Sequence, residues 1–289
     1  MGRRILVASR IKESSYVIKA DANDHEKVCA LANPPRMLPG YFVLETLGAP
    51  LDGATGDVRH VRLQAACRLN TPDRPYAVAN EYIAARVAAA VGLPVPPGQI
   101  VRLSTRELGY VCLLFGPEGS TLPPVIPAEL AEQDPQLCMG IVMFDCWIRN
   151  GIDRHDGNLG YLPESGGVIF DHDLALLGSR WGKAADDLRT AADQPCLDGH
   201  CLVSELSSLE HAHEWAARMA AVPKGLIRDV ARTAFRLKLI NATERDEVIR
   251  FLEFRQGRLL AYLEKSRKLF EKVQVWPLLD GGKREAGDS

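Results

Sequence analysis

The chain has 289 residues, of which 46% are hydrophobic and 25% charged, and its formal net charge is -2. This length and composition are typical of a compact globular protein with a substantial core. The near-zero charge argues against a protein that coats nucleic acid through a global positive field, although local basic patches stay open. No apolar stretch reaches the length of a membrane span, and the N-terminus lacks the apolar run of a signal peptide. Seven cysteines without CxxC pairs indicate reduced thiols. We therefore expect a cytoplasmic protein with no membrane partner and no direct nucleic-acid partner.

Strand patterns dominate the first part of the chain. Residues 1–40 contain two alternating runs that suggest strands, and residues 41–66 read as strand, glycine-rich turn, strand, which predicts a β-hairpin. Between the turn signals at 70–75 and Gly92, Ala, Ile and Val recur at helical spacing, so a helix is predicted to end at Gly92. Residues 99–116 supply two further runs that predict strands.

The second part is mostly helical. A Pro- and Gly-rich connector at 116–127 separates the two parts, and from about residue 135 apolar residues recur at i, i+3 and i+4. Two short strand-like runs, NLGYL and GVIFD, interrupt this pattern. We therefore predict an α+β fold with two lobes and a cleft between them. The predicted divisions are an N-terminal extension of strands at 1–44, a strand-rich N-lobe at 45–116, a helical C-lobe at 117–275 and a polar tail at 276–289.

Two acid-containing motifs, DRHDGN and FDHD, flank the predicted short strands. Phosphoryl transfer needs a carboxylate that orients or deprotonates the acceptor, and oxygen ligands for the magnesium that neutralises the phosphates. Asp153 and Asn158 have the separation found in the HRDxxxxN catalytic loop, which predicts a base and a metal ligand. Asp171 follows at the end of the second strand and could take the second metal position. The two motifs therefore predict one magnesium-phosphate site.

Several segments resemble those of the HipA-like kinases, distant relatives of the phosphatidylinositol kinases. These segments include VANEYIAARVAAAVGLPVPP, FDCWIRNGIDRHDGN, FDHDLAL and CLDGHCL, in the family's order, and the resemblance covers residues 45–265. It implies a protein-kinase-like two-lobed fold, with a strand-rich N-lobe, a helical C-lobe that carries the catalytic loop, and ATP and Mg²⁺ as cofactors.

The resemblance also implies roles for individual residues. Asp153 would be the catalytic base, and Asn158 and Asp171 would bind magnesium. Glu81, in the NEYIAAR helix, would pair with a phosphate-binding cation. The catalytic loop would be braced by Arg154 and His155.

The phosphate-binding cation is where this sequence departs from the family. A strand lysine is expected about twenty residues before Glu81, and the VRHVRLQ run offers Arg62 instead. Arginine can hold phosphate, but its planar fork is not equivalent to an ammonium group, so weak or altered activity is expected. Lys19 is the other candidate. The turn with Gly53 and Gly56 could lay backbone N–H groups over the phosphates.

These features predict an ATP- and Mg²⁺-dependent phosphotransferase whose favoured acceptor is a Ser/Thr hydroxyl of a protein. One alternative is a pseudokinase, which binds nucleotide as a regulatory module without turnover. Another is a kinase-fold enzyme that acts on a lipid, an antibiotic or another small molecule, or that transfers AMP. The sequence indicates neither the acceptor nor the oligomeric state.

Overall fold

A computed structural model describes residues 44–114, 124–162 and 166–276 of the chain. Of these, residues 44–64 belong to one compact unit, and the residues from Ala65 onward belong to a second. Several predictions concern residues outside the described ranges. They are the strands in residues 1–40, the role of Lys19, the lobe boundary at 116/117 and residues 277–289 of the tail. The predicted division of the chain into lobes stays a prediction.

The first unit contains the predicted hairpin. Strands β1 (Leu44–Pro50) and β2 (Arg59–Leu63) pair in antiparallel fashion, and Arg62 lies on β2 opposite Thr46. The turn between them is closed by a hydrogen bond from Leu51 N to Val58 O at 2.8 Å. Gly53 and Gly56 adopt φ angles of 76° and 92°, in the region where glycine carries no steric penalty. The hairpin prediction is confirmed.

The second unit begins with a three-stranded antiparallel sheet. It contains β3 (Ala65–Leu69), β4 (Gly98–Arg102) and β5 (Leu108–Leu113), with β5 in the centre. The two strands predicted in residues 99–116 are therefore confirmed. The strand predicted through VRHVRLQ corresponds to β2, whereas β3, which follows after Gln64, was not predicted. They are distinct strands because β2 pairs with β1 and β3 pairs with β5.

Helix α1 (Ala77–Val91) confirms the helix predicted before Gly92. Nearly all of its side chains are buried, and most of them are alanine or valine, which allow close approach to neighbouring elements. Gly92 has φ 80° and donates its N–H to the carbonyls of Ala88 and Ala89. A residue in this left-handed conformation at the end of a helix is most often glycine. The sequence thus specifies where α1 stops.

The remaining helices form the body of the second unit. They are α2 (Pro127–Gln133), α3 (Pro135–Ile148), α4 (Ala184–Ala191), α5 (Ala212–Ala220), α6 (Lys224–Arg236), α7 (Ala242–Arg255) and α8 (Leu259–Lys265). Almost every residue of α3 is buried, so this helix is the centre of the core. A Cβ on Gly140 would lie 2.3 Å from Trp215 Cε2, so glycine is needed where α5 packs on α3. None of the described helices has the length and apolar character needed to span a membrane.

A short β-hairpin follows the end of α3. After α3 the chain makes two 3₁₀ turns, Gly151–Asp153 and Asp156–Asn158, and then forms strands β6 (Leu159–Leu162) and β7 (Gly166–Ile169). Leu159 pairs with Ile169, so the residues just before β6 lie opposite those just after β7. The two strands predicted from NLGYL and GVIFD are confirmed, and their register determines the geometry of the candidate site.

Candidate functional site

The base of the β6–β7 hairpin brings the two acidic motifs together. Asn158 directly precedes β6, and Asp171 follows β7 after Phe170. The Asn158 side chain turns back to Asp153, where its Nδ2 donates to the main-chain oxygen at 2.9 Å and to Oδ2 at 3.4 Å. The side-chain nitrogen of Asn158 is therefore used inside the loop, which leaves the amide oxygen for a metal ion.

Arg154 holds both sides of this hairpin base. Its side chain is fully buried, and its Nη1 donates to the carbonyl oxygens of Asn158 at 2.6 Å and Phe170 at 2.9 Å. Its Nε and Nη2 reach the two oxygens of Asp145 on α3 at 2.7 and 3.2 Å. A buried group cannot touch a substrate, so Arg154 acts on the site through the backbone it holds, as the bracing role implied by the resemblance requires.

His200 completes the buried network behind Arg154. Its Nε2 lies 3.1 Å from Asp145 Oδ2, and its Nδ1 accepts a hydrogen bond from Leu202 N at 3.1 Å. Because Nδ1 is an acceptor, the proton of the neutral ring lies on Nε2. Burial lowers the pKa of His200 and keeps the ring neutral, despite the opposing effect of Asp145. Burial alone would raise the pKa of Asp145, but the charge of Arg154 and the hydrogen bonds from His200 and Arg154 hold that pKa far below its usual value.

The cation at the centre of the site is Arg68, on β3. Its Nη2 lies 2.6 Å from Asp171 Oδ2, its Nη1 3.3 Å from Asp173 Oδ2, and its Nε 3.7 Å from Glu81 Oε1. The side chain is 39% exposed, so a ligand can reach the guanidinium. The sequence analysis misses Arg68 because it predicts no strand at AACRL; a strand there would have indicated this arginine.

Arg62, Gly53 and Gly56 lie in the hairpin unit, and their predicted contacts with phosphate stay predictions. The predicted role of Glu81 in an ion pair is consistent with its contact with Arg68. Oε2 of Glu81 also lies 3.6 Å from Nδ1 of His172.

Helix α1 anchors the segment that follows Asp171. Asn80 Nδ2 donates to the carbonyl of Asp173 at 2.7 Å, and its Oδ1 accepts from Leu177 N at 3.2 Å. Both ends of this segment are therefore held by one buried side chain on the helix that also carries Glu81. Asn80 is a further residue that the sequence analysis did not single out.

Crowded carboxylates give the site a negative potential. Burial, followed by the charges of Asp171 and Asp173, raises the pKa of Asp153 to about 6. Burial and Asp171 also raise the pKa of Asp173, although Arg68 and Arg74 oppose this shift. Perturbed carboxyl groups in a shared electrostatic environment are typical of functional sites, and they favour the binding of cations.

The donor set fits a magnesium ion. Asp171 Oδ1 is buried and has no hydrogen-bond partner among the described residues, and Asp171 adopts a left-handed φ of 56°. A carboxylate with an amide oxygen is a ligand pair that Mg²⁺ accepts, with phosphate and water oxygens as its other ligands. Within residues 44–114, 124–162 and 166–276, no group of three or more His, Cys, Asp or Glu side chains is arranged to hold a metal ion. A metal at Asn158 and Asp171 would therefore depend on a nucleotide for further ligands.

His155 lies on the outer side of the loop that carries Asp153 and Asn158. Its side chain is 59% exposed, and its Nδ1 accepts a hydrogen bond from Gly157 N at 3.1 Å. The ring therefore caps the second 3₁₀ turn, which is consistent with a bracing role. Asp156, next to it, is exposed and accepts from the same N–H at 2.9 Å.

Comparison with known proteins identifies the fold. No protein-family model matches the chain, and no curated protein matches its sequence. Among solved structures, the Helicobacter pylori proinflammatory kinase CtkA is similar with a TM-score of 0.52 and 12% identity, over 76% of this chain and 95% of that chain. HipA, in a Shewanella oneidensis complex with HipB and operator DNA, is 14% identical with a TM-score of 0.35, over 86% of this chain and 70% of that chain. The similarity to CtkA confirms the predicted α+β, protein-kinase-like fold class, with small sheets followed by a helical part. The resemblance to HipA-like kinases implied this kinase-like fold, and the fold is what the similarity to CtkA confirms.

Proposed function

We propose that the protein is an ATP- and Mg²⁺-dependent phosphotransferase that phosphorylates Ser/Thr hydroxyls of a protein. The observation that carries this proposal is the convergence of Asp153, Asn158 and Asp171 at the base of one hairpin, next to the exposed guanidinium of Arg68. The kinase-like fold supports the same reaction class.

Each side chain has a chemical role in this proposal. Asp153 accepts the proton of the acceptor hydroxyl and orients the oxygen for in-line attack on the terminal phosphate. Asn158 and Asp171 hold magnesium, which neutralises the negative charge on the phosphates when it is bound. Arg68 donates hydrogen bonds to phosphate oxygens, and Glu81 keeps its guanidinium oriented. This assigns to Arg68 the role that the sequence analysis gives to Arg62.

A polypeptide acceptor is supported by the surface beside the base. Ile152 directly precedes Asp153 and is 82% exposed, although it is a large apolar residue. An exposed apolar side chain next to a proposed catalytic group offers a contact for a substrate that carries its own apolar side chains. A sugar or an amine without such groups would gain nothing from Ile152.

The function is tested with the full chain, labelled ATP, Mg²⁺ and a set of candidate acceptor proteins, including the chain itself. We expect transfer of the terminal phosphate, and we expect Asp153→Asn to lower the rate by at least about 100-fold because it removes the general base. Intact-mass spectrometry of the product distinguishes addition of phosphate from addition of AMP.

Asp156→Asn is the matched control, because it neutralises an exposed acid in the same loop. We expect this variant to retain the activity of the unmodified chain. Equal activity in the Asp153→Asn variant would contradict the assignment of the base.

A second function, nucleotide binding without turnover, is favoured by one contact. Arg68 lies 2.6 Å from Asp171 Oδ2, so a fixed positive charge competes with metal at that carboxylate. If this competition abolishes turnover, the unmodified chain should gain thermal stability from Mg²⁺ and ATP without consuming ATP.

A further inference from the structure

A concave site separate from the carboxylates lies elsewhere in the second unit, which we call the kinase-like unit and which begins at Ala65. It has a volume of about 510 Å³ and is formed by the end of β3, the turn between β4 and β5, and the segment that joins α6 to α7. This volume lies within the range of small-molecule sites. Leucine side chains and Asn70 form part of its lining. Its charged lining residues are Arg102, Arg106, Glu107, Arg236 and Lys238.

The positive charges of this basic pocket are not neutralised within the described part of the chain. None of its four cations forms an ion pair there; Arg236 donates only to the hydroxyl of Thr233 at 3.0 Å. Glu107 accepts a hydrogen bond from Thr105. The ion pairs of α6 and α7 lie elsewhere, for example at Arg228 and Arg245. With Glu107 as the one carboxylate among these lining residues, the pocket has a net positive charge, which attracts an anion.

Two of the cations occupy backbone positions that favour glycine. Arg106 has φ 73° and closes the β4–β5 turn, where its N–H donates to Leu103 O at 3.0 Å. In hairpin turns of this kind the residue with positive φ is usually glycine. Arginine at this position therefore has a less favourable backbone conformational free energy than glycine would have.

Lys238 occupies an equivalent position at the end of α6. It has φ 61°, its N–H donates to Phe235 O, and Leu239 N donates to Ala234 O at 3.0 Å. This is the hydrogen-bond pattern of a helix end that strongly prefers glycine. Three left-handed positions among the described residues carry an arginine or lysine, and two of them, Arg106 and Lys238, line the same cavity. Strain retained at positions that converge on one site indicates a function for the side chains.

We propose that the basic pocket binds a small organic phosphate. Arginine supplies three of its four cations, and the planar guanidinium matches phosphate oxygens with paired hydrogen bonds. The leucines offer an apolar surface to the organic part of the ligand. Neighbouring residues of a strand point to opposite faces, so Leu69 of the pocket and Arg68 of the carboxylate site leave β3 on opposite sides. The pocket is therefore separate from the proposed nucleotide site, and its function does not depend on kinase activity.

Phenyl phosphate is a suitable probe, because it combines one phosphate with one compact apolar group. At constant ionic strength, we expect it to raise the melting temperature of the full chain more than inorganic phosphate or phenol does. We expect the double variant Arg106→Gly, Lys238→Gly to melt no lower than the unmodified chain, since glycine fits both backbone positions. The same variant should bind phenyl phosphate at least about tenfold more weakly in calorimetry, because two charge-assisted hydrogen bonds are lost.

A matched pair on α6 separates the pocket from general surface charge. Arg236→Ala removes a lining cation and should weaken phenyl phosphate binding. Arg232→Ala removes an exposed arginine from the same helix outside the lining and should leave binding unchanged. Undiminished binding in the glycine double variant, or an equal loss in Arg232→Ala and Arg236→Ala, would overturn the proposal.

Discussion

Arg154 and Arg68 both contact carboxylates, but in different environments. Arg154 is fully buried, and its three side-chain nitrogens contact Asp145 and two backbone carbonyls. Arg68 is 39% exposed and bridges three carboxylates at longer average distances. The buried arginine has its hydrogen-bonding capacity used by the protein, whereas the exposed one retains access to a ligand.

The difference shows how the unit separates structure from chemistry. The network of Asp145, Arg154 and His200 sets the positions of the backbone at Asn158 and Phe170. The side chains proposed to bind ligands, among them Asp171 and Arg68, are more exposed than Arg154. The protein therefore compensates their charges less completely. Changes in the first group should therefore affect stability, and changes in the second should affect binding.

The largest effect is expected from Arg154→Ala. Removing one partner of a buried ion pair leaves Asp145 buried without its compensating charge, so we expect the free energy of unfolding to fall by about 3–5 kcal/mol. Urea denaturation measures this loss. Lys265→Ala is the comparison, because Lys265 and its partner Asp193 are both exposed. An exposed pair contributes at most about 1 kcal/mol, so equal losses in the two variants would refute the distinction.

A pH-dependent effect of intermediate size is expected at His200. The folded state keeps this histidine neutral with a lowered pKa, whereas in the unfolded chain it takes up a proton below about pH 6.5. The unfolded state then binds more protons, so stability should fall on acidification by up to about 1.4 kcal/mol per pH unit.

Urea midpoints measured between pH 7.5 and 5.5 test this effect. Because other groups titrate in every variant, the informative quantity is the difference in slope from the unmodified chain. His200→Gln should have a shallower slope, and His213→Gln, at an exposed position on α5, should not. Equal slopes for His200→Gln and the unmodified chain would show that the pH dependence of stability does not come from burial of His200.

A smaller loss of stability than in Arg154→Ala is expected from Arg68→Gln. Glu81 and Asp173 are largely buried and lose a compensating charge, but Arg68 itself is 39% exposed, so water can reach the site when the guanidinium is removed. Binding of ATP with Mg²⁺ should nevertheless weaken by about 10- to 100-fold, which corresponds to the loss of a charged hydrogen bond to phosphate. Calorimetric titration measures the affinity. A large loss of stability with unchanged affinity would reverse the roles assigned to the two arginines.

Much of the fold could be predicted from local patterns. The stop of α1 at Gly92, the hairpin at β1 and β2 and the two short strands around the acidic motifs depend on glycine positions and on residue periodicity, which are local properties. The failure to predict β3 has a nonlocal cause. A strand is defined by its pairing partner, and the change from β1 to β5 as partner is not recorded in the alternation of residues.

The acidic residues of the candidate site were accessible to sequence reasoning because they occur in two short motifs. Asp153 and Asn158 lie in one loop, and Asp171 follows a hairpin short enough for its register to be anticipated. Arg68, Asn80 and His200 were not identified in these roles. Each reaches the site or its bracing network from a distant segment, through side-chain contacts with no fixed spacing along the chain.

The sequence by itself determined the kinase-like class, the hairpin that carries the acidic motifs and the identity of the proposed base and metal ligands. Only the tertiary structure decided which cation meets those acids, which buried groups hold their backbone, and that four cations line a separate pocket. The reason is physical: periodicity and turn chemistry act between residues near each other in the chain. Electrostatic contacts depend on distances in space, which are set when α1, α3 and the sheet pack together.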